Sequence, residues 1–322
     1  MAAVPLGSRW VRAIAVSTAV AAAVYLGAVM WAGRAEVAAA LKLVGVDTLI
    51  GLLALSLLNY GLRFARWHYY IRSLGGVISL RHDLRIYIGG FALTTTPGKA
   101  GEMARSLWLR PYGVPATMSI AAFFAERIQD FLGIVLLASL AVTSFRGAVW
   151  VLVGGVALVL GALIILYVPA ISRSVLRYLT ARPGRLRQIA RQITEILLLT
   201  RGCFTPCRFL VGLLIGIGAW SAEGLALYAL MSALGHPLPW VPAIGIFALA
   251  TLAGALSFMP GGLGGTEVTM MVLLRLFAIP LPIAISATLL IQVVTLWFAV
   301  LLGIAALSIR AKVPEVPATV GA

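Results

Sequence analysis

Eighteen consecutive residues, VLVGGVALVLGALIILYV from Val151 to Val168, carry no charge. A helix needs about 20 such residues to cross a bilayer, and apolar runs of this kind recur along the chain. A membrane β-barrel would instead alternate apolar and polar residues over segments of about 10. Charged residues make up only 11% of the chain and hydrophobic ones 61%, whereas soluble domains are about 25% charged. The expected fold class is all-α: a polytopic membrane protein forming a single integral membrane domain over 1–322.

The formal charge of +15 does not point to nucleic acid. The basic residues fall mostly between apolar runs, where cytoplasmic loops hold them. Cys203 and Cys207 lie together in a basic stretch and form neither a disulfide framework nor a zinc site. The apolar stretch behind Arg9 and Arg12 runs to Ala32. It is too long for the core of a signal peptide, so an uncleaved first helix is expected.

Six full spans are expected, at about 13–32, 47–71, 118–142, 148–169, 209–233 and 282–308. Two further apolar segments are interrupted. Residues 86–96 run into Pro97-Gly98, and 241–259 break at Pro260-Gly261-Gly262 before resuming over 268–279. Each half is too short to cross. With the N-terminus inside, 17 of the 25 Lys and Arg fall on the cytoplasmic side, including Arg63, Arg66 and eight arginines from Arg173 to Arg208. Only Arg34, Lys42, Arg146 and Arg275 fall outside. The split requires that each interrupted segment enter and leave on one face, as a re-entrant helical hairpin.

The interruptions resemble each other. FALTTTPGKAGE (91–102) and SFMPGGLGGTE (257–267) both carry Pro-Gly, further glycine, then a glutamate opening a helix. Glu102 lies 24 residues before Glu126, and Glu267 lies 25 before Gln292. Span, hairpin, span therefore occurs twice, as repeat A (about 47–142) and repeat B (about 209–308), in inverted topology around a basic cytoplasmic loop at about 170–208. Such paired breaks mark transporter binding sites, because unpaired backbone at membrane depth is tolerated only within protein or beside a wet cavity. Close packing at glycine is the alternative reading. The candidate translocation residues are Pro97, Gly98, Lys99, Gly101 and Glu102 at one break, and Pro260, Gly261, Gly262, Gly264 and Glu267 at the other.

RFARW (63–67), PGKAGE with Arg105 (97–105), AERIQD (125–130) and PGGLGGTE (260–267) resemble, as a set, the lysylphosphatidylglycerol synthase transmembrane-region, or flippase-like, family. The family includes the membrane half of the bacterial multiple peptide resistance factor, and the likeness covers about 47–308. It implies movement of a phospholipid or polyprenyl-linked glycolipid between leaflets of the cell membrane. The implied partners are membrane lipids or lipid-linked sugars, with a glycosyltransferase or lipid-synthase partner. Bifunctional members carry a soluble aminoacyl-transferase domain after the membrane region. Here the sequence ends fourteen residues after Ser308, so lysyl transfer and enzymatic activity are not expected. Two other readings stand beside the flippase. One is a non-transporting accessory subunit of a glycosyltransferase or lipid-modifying enzyme. The other is a membrane-embedded transferase using Glu102 or Asp130 as a base.

Glu102, Glu126, Asp130, Glu223 and Glu267 lie in or beside apolar segments, where a charge costs about 2.5–3.5 kcal/mol on insertion scales. Arg105 follows Glu102 by three residues and Arg127 precedes Asp130 by three, so these arginines can neutralise the acids. Such a network either locks the hairpin or yields an arginine to a substrate phosphate. Glu267 either caps its half-helix or meets substrate, and Glu223 is a proton or cation site or faces a glycine-rich seam. Arg63 and Arg66 either snorkel to the interface or touch lipid phosphate. No cofactor or metal site is expected, since His68, His82 and His236 are scattered and no GxxxxGK[ST], HExxH or GxSxG motif occurs. Cysteine substituted at Arg187 and at Arg34 should be labelled from opposite sides of the membrane, and labelling from one side would sink the inverted topology.

Overall fold

The structure, a computed structural model, describes residues 34–96, 102–142, 148–167, 185–257 and 259–309, together with Gly27. The described residues are helical, with no strand among them. The helices are α1 (Arg34–Ser73), α2 (Leu80–Gly90), α3 (Arg105–Leu109), α4 (Ala116–Val142), α5 (Ala148–Tyr167), α6 (Arg185–Gly202), α7 (Pro206–Ala233), α8 (Trp240–Leu256), α9 (Gly265–Leu276) and α10 (Leu281–Ser308). α10 carries one π-helical turn at Val293–Trp297. Proline sets several starts. Extended Thr205, Pro239 and Pro280 precede α7, α8 and α10, and Pro206 fills a first-turn position whose N–H has no helical partner.

Among the described residues, four helical stretches are long and apolar enough to cross a membrane: Lys42–Ser73, Val149–Tyr167, Pro206–Ala233 and Leu281–Ser308. Their outward faces are bare hydrocarbon. Val46, Trp150, Leu214 and Leu301 are all exposed, as a lipid-facing surface requires and a watery one forbids at this density. The chain is a multi-pass helical membrane protein. α4 has 27 residues, or about 40 Å at 1.5 Å per residue, but carries Glu126, Arg127 and Asp130 inward rather than a wholly apolar sequence. The span expected at 13–32 lies outside the described residues apart from Gly27.

Two helical hairpins fill the middle of the bundle. In the first, α2 runs through a 3-10 turn at Phe91–Leu93, and α3 packs back against it. Its helix starts at Leu80 rather than near residue 86, because extended Ser79 ends the preceding turn and Asp83 in the first turn is buried. In the second, α8 and α9 pack side by side. α8 is apolar on every face, which fits its enclosure by α4, α7 and α9. α9 begins three residues earlier than the apolar pattern suggests, because Glu267 caps it from within.

The stretch expected as a basic loop at 170–208 contains a helix. α6 packs along α4, buries Ala190 and Thr200, and leaves Arg191 exposed. Its alternation of arginine and aliphatic residues is the pattern of an amphipathic surface helix. Residues 168–184 lie outside the described ones.

The bundle closes where glycine lets helices touch. A Cβ on Gly224 of α7 would come within 2.6 Å of the Cα of Ile244 in α8. One on Gly61 of α1 would meet nothing within 4 Å. Gly224→Val should therefore lower stability by about 1–3 kcal/mol, the cost of overpacking, while Gly61→Ala should stay within about 0.5 kcal/mol. Thermal unfolding in detergent measures both.

Candidate functional site

Three carboxylates and three guanidinium groups meet inside the bundle. Arg66 of α1 donates from Nη2 to Oδ1 of Asp130 at 2.5 Å, and the same nitrogen lies 3.9 Å from Oε1 of Glu126. Arg105 reaches Glu102 at 3.2 Å and Glu126 at 3.7 Å from one nitrogen. Arg127 lies 2.8 Å from Oδ2 of Asp130. The spacing of the α4 acids explains the geometry: Glu126 and Asp130, four apart, share one helix face. Glu102, Glu126, Asp130, Arg66 and Arg105 are all buried.

Neutral groups complete the cluster. The indole of Trp220 in α7 donates to Asp130 at 3.1 Å, and Thr94 at the first hairpin tip donates to Glu102 at 2.9 Å. Arg105 sits between the rings of Trp67 and Tyr87, with its guanidinium carbon 4.5 Å from each centroid. Trp67 in turn donates to Asp83 of α2 at 2.9 Å, and His68 lies 2.6 Å from the other oxygen of that carboxylate. The first hairpin is thus tied to α1 through Asp83 and to α4 through Arg105.

Beside the cluster lies a cavity of about 340 Å³. Arg63, Arg127, Asp130 and Glu223 charge part of its wall, and Phe131, Phe247 and Met270 line the apolar part. Both hairpin tips border it, through Thr94 on one side and Gly261, Gly262 and Thr266 on the other. The tips touch: a Cβ on Gly261 would stand 3.5 Å from the Cα of Thr95. Gly261, Gly262 and Gly264 all have positive φ, a conformation that glycine adopts without penalty. Behind this tip, Glu267 accepts from the Gly264 N–H at 2.6 Å and from the Gln292 amide at 2.8 Å.

Over residues 14–303 the sequence matches the family described as lysylphosphatidylglycerol synthase TM region. The chain belongs to this family. It is also similar to curated relatives. A UPF0104 membrane protein of Methanothermobacter thermautotrophicus is 36% identical over 90 residues, a match spanning 28% of this chain and 27% of the relative. A longer match to a protein of that name from the same organism is 25% identical over 267 residues, or 75% of this chain and 79% of the relative. A UPF0104 membrane protein of Pyrococcus horikoshii is 23% identical over 266 residues, or 74% and 79%.

Of the residues singled out in the sequence, Glu102, Arg105, Glu126, Arg127 and Asp130 come together as one cluster, joined by Arg66. Arg63, Glu223, Gly261 and Gly262 line the adjoining cavity. Glu267 and Gly264 cap α9 just behind it, and Pro260 opens the 3-10 turn of that tip. Pro97, Gly98, Lys99 and Gly101 lie outside the described residues. Arg63 and Arg66 do not snorkel to an interface: they are 5% and 0% exposed within the bundle. They stand ten and seven residues before the end of α1, about 15 and 10 Å along the helix, where protein rather than headgroup surrounds them.

Asp83 and Trp220 escaped the sequence reading. Asp83 sits among charged neighbours and reads as loop. Trp220 carried a usable signal, because a tryptophan in mid-span stands away from the interface where the residue concentrates. Removing one partner of a buried pair leaves an uncompensated charge and costs about 3–5 kcal/mol. Arg66→Ala and Arg105→Ala should each lose about that much in thermal unfolding, while Arg191→Ala at the exposed surface should stay within about 0.5 kcal/mol.

Proposed function

We propose that the chain is a flippase-like transporter that carries the head group of a phospholipid or polyprenyl-linked glycolipid between leaflets, while the lipid tails stay in the membrane. The supporting observation is the cavity bordered by both hairpin tips, charged on part of its wall and apolar elsewhere. A charged group is costly at the bilayer centre, and a cavity that replaces water with fixed polar groups lowers that cost. Its volume falls within the range of small-ligand sites. In this reading the hairpins are re-entrant, entering from opposite faces. The protein lies in the cell membrane with both termini cytoplasmic, as the distribution of arginines favours.

The test is a leaflet-resolved translocation assay with purified protein in liposomes, run against a panel of lipids. Protein-containing liposomes should move at least one phospholipid or polyprenyl-linked lipid faster than empty ones, and equal rates across the panel would overturn the reading. Gly261→Val should cut that rate by about tenfold or more. A side chain at this positive φ costs about 1–2 kcal/mol and would wedge the two tips. Insertion and yield should be unchanged.

A further inference from the structure

We infer that Arg63 is the ligand for the phosphate of the transported head group, and that it restricts the cavity to a phosphodiester carrying one negative charge. This rests on the lipid-carrying reading above and narrows its substrate.

The pairing of charges isolates Arg63. Glu102, Glu126 and Asp130 are matched by Arg66, Arg105 and Arg127, each within 4 Å of at least one of them. Arg63 is one of two guanidinium groups on the cavity wall, with Arg127, and it takes no part in these ion pairs. Its Nε and Nη2 have no hydrogen-bond partner among the described residues, although the side chain is 5% exposed. A buried donor left without a partner is costly. Arg127 has the same two atoms without a hydrogen bond but stands 2.8 Å from Asp130, whereas Arg63 joins no ion pair, which marks it as the position shaped for something else.

The geometry of the group says what. Phe91 and Trp220 each lie 5.6 Å from the guanidinium carbon, so aromatic rings hold the cation by its π-system and leave its N–H edge for a ligand. Nε and Nη2 share one edge of the plane. That edge presents two parallel N–H groups, the fork that binds two oxygens of one phosphate or carboxylate. A phosphodiester offers two non-bridging oxygens and a single charge, matching one fork and one unpaired cation. A phosphomonoester near neutral pH carries about −1.5 to −2, and a diphosphate brings a second phosphate, while the second guanidinium of the wall, Arg127, is already engaged by Asp130 at 2.8 Å. Glu223, one turn after Trp220 on α7, also lines the cavity. Its carboxylate disfavours further negative charge there.

Two lipid classes present this chemistry: glycerophospholipids and polyprenyl phosphoryl sugars. The full chain in detergent is titrated by native mass spectrometry with phosphatidylglycerol, a polyprenyl phosphoryl hexose, phosphatidic acid, a polyprenyl diphosphate and diacylglycerol. At least one phosphodiester should bind about tenfold more tightly than the last three, the scale of a hydrogen bond to a charged group, and the tighter of the two identifies the lipid class. Arg63→Gln should abolish the preference yet unfold near the wild-type temperature, since none of the ion pairs within 4 Å is lost. Arg63→Lys keeps the charge without the fork and should bind at an intermediate level, a comparison that stands even if the glutamine variant does not fold. Wild-type selectivity in either variant, or tightest binding of the diphosphate or of phosphatidic acid, would overturn the assignment. Selective binding without movement between leaflets would refute the transporter reading and leave the Arg63 assignment standing. Movement that survives Arg63→Gln would do the reverse.

Discussion

A charge inside a bilayer protein must find its opposite. The bundle is organised around that requirement. Asp130 is held by Arg66 from α1, Arg127 from its own helix and the Trp220 indole from α7. Glu126 stands between Arg66 and Arg105. The acids of α4 therefore draw α1, the first hairpin and α7 to one place. Removing α1 or the first hairpin separates buried ion pairs, which costs several kcal/mol in a dry interior, and removing α7 takes a hydrogen bond from Asp130. Packing supplies the remaining order. Once α4 and α7 are fixed, α8 is enclosed between them, and Gly224 sets how closely it approaches.

The hairpins obey the companion rule for the backbone. A chain that turns within the membrane exposes N–H and C=O groups that lipid cannot satisfy. Here the tips lie against each other and against helices. The first passes from α2 into a 3-10 segment, and the adjoining Gly90 lies under the Arg105 side chain, so the arginine that neutralises Glu102 also covers the start of that segment. The second tip uses the Glu267 carboxylate to take up the Gly264 N–H. The cavity is bordered by residues of both hairpins, Thr94 on one side and Gly261, Gly262 and Thr266 on the other.

Much of this was legible in the sequence, and the limits have a physical origin. Apolar length marked the four stretches that are long and apolar enough to cross a membrane, and the break at Pro260-Gly261-Gly262 falls between α8 and α9. The three-residue spacings of Glu102 with Arg105 and of Arg127 with Asp130 are local helix geometry, and both pairs form. Arg66 and Asp130 are 64 residues apart, and no local rule encodes that contact. The rule that counts arginines near span ends treats a buried guanidinium as a loop charge, which is how Arg63 and Arg66 were counted with the cytoplasmic residues. Asp83 was hidden for the same reason: its neighbours are polar, and only the tertiary contact with Trp67 reveals its burial. The amphipathic helix α6 was masked by its arginines, whose number suits a loop as well as a surface helix.

The two hairpin-bearing stretches use one plan with unequal charge. Counted from their glutamates, Arg105 in the first corresponds to Met270 in the second. Counted from Glu126 and Gln292, Arg127 corresponds to Val293 and Asp130 to Leu296. The ionic cluster thus has no counterpart in the second stretch, where the carboxylate of Glu267 is met by an amide and a backbone N–H. The energetic consequence differs between the tips. Displacing the first separates buried ion pairs. Displacing the second breaks one hydrogen bond to a charged group, from Gln292 to Glu267, worth about 1.5–3 kcal/mol, in a segment whose glycines already accept unusual backbone angles. Met259 in that segment is also exposed, so little apolar packing resists its movement. The second tip is therefore the less firmly held wall of the cavity, and the charges that would hold a head group belong to the wall that is fixed.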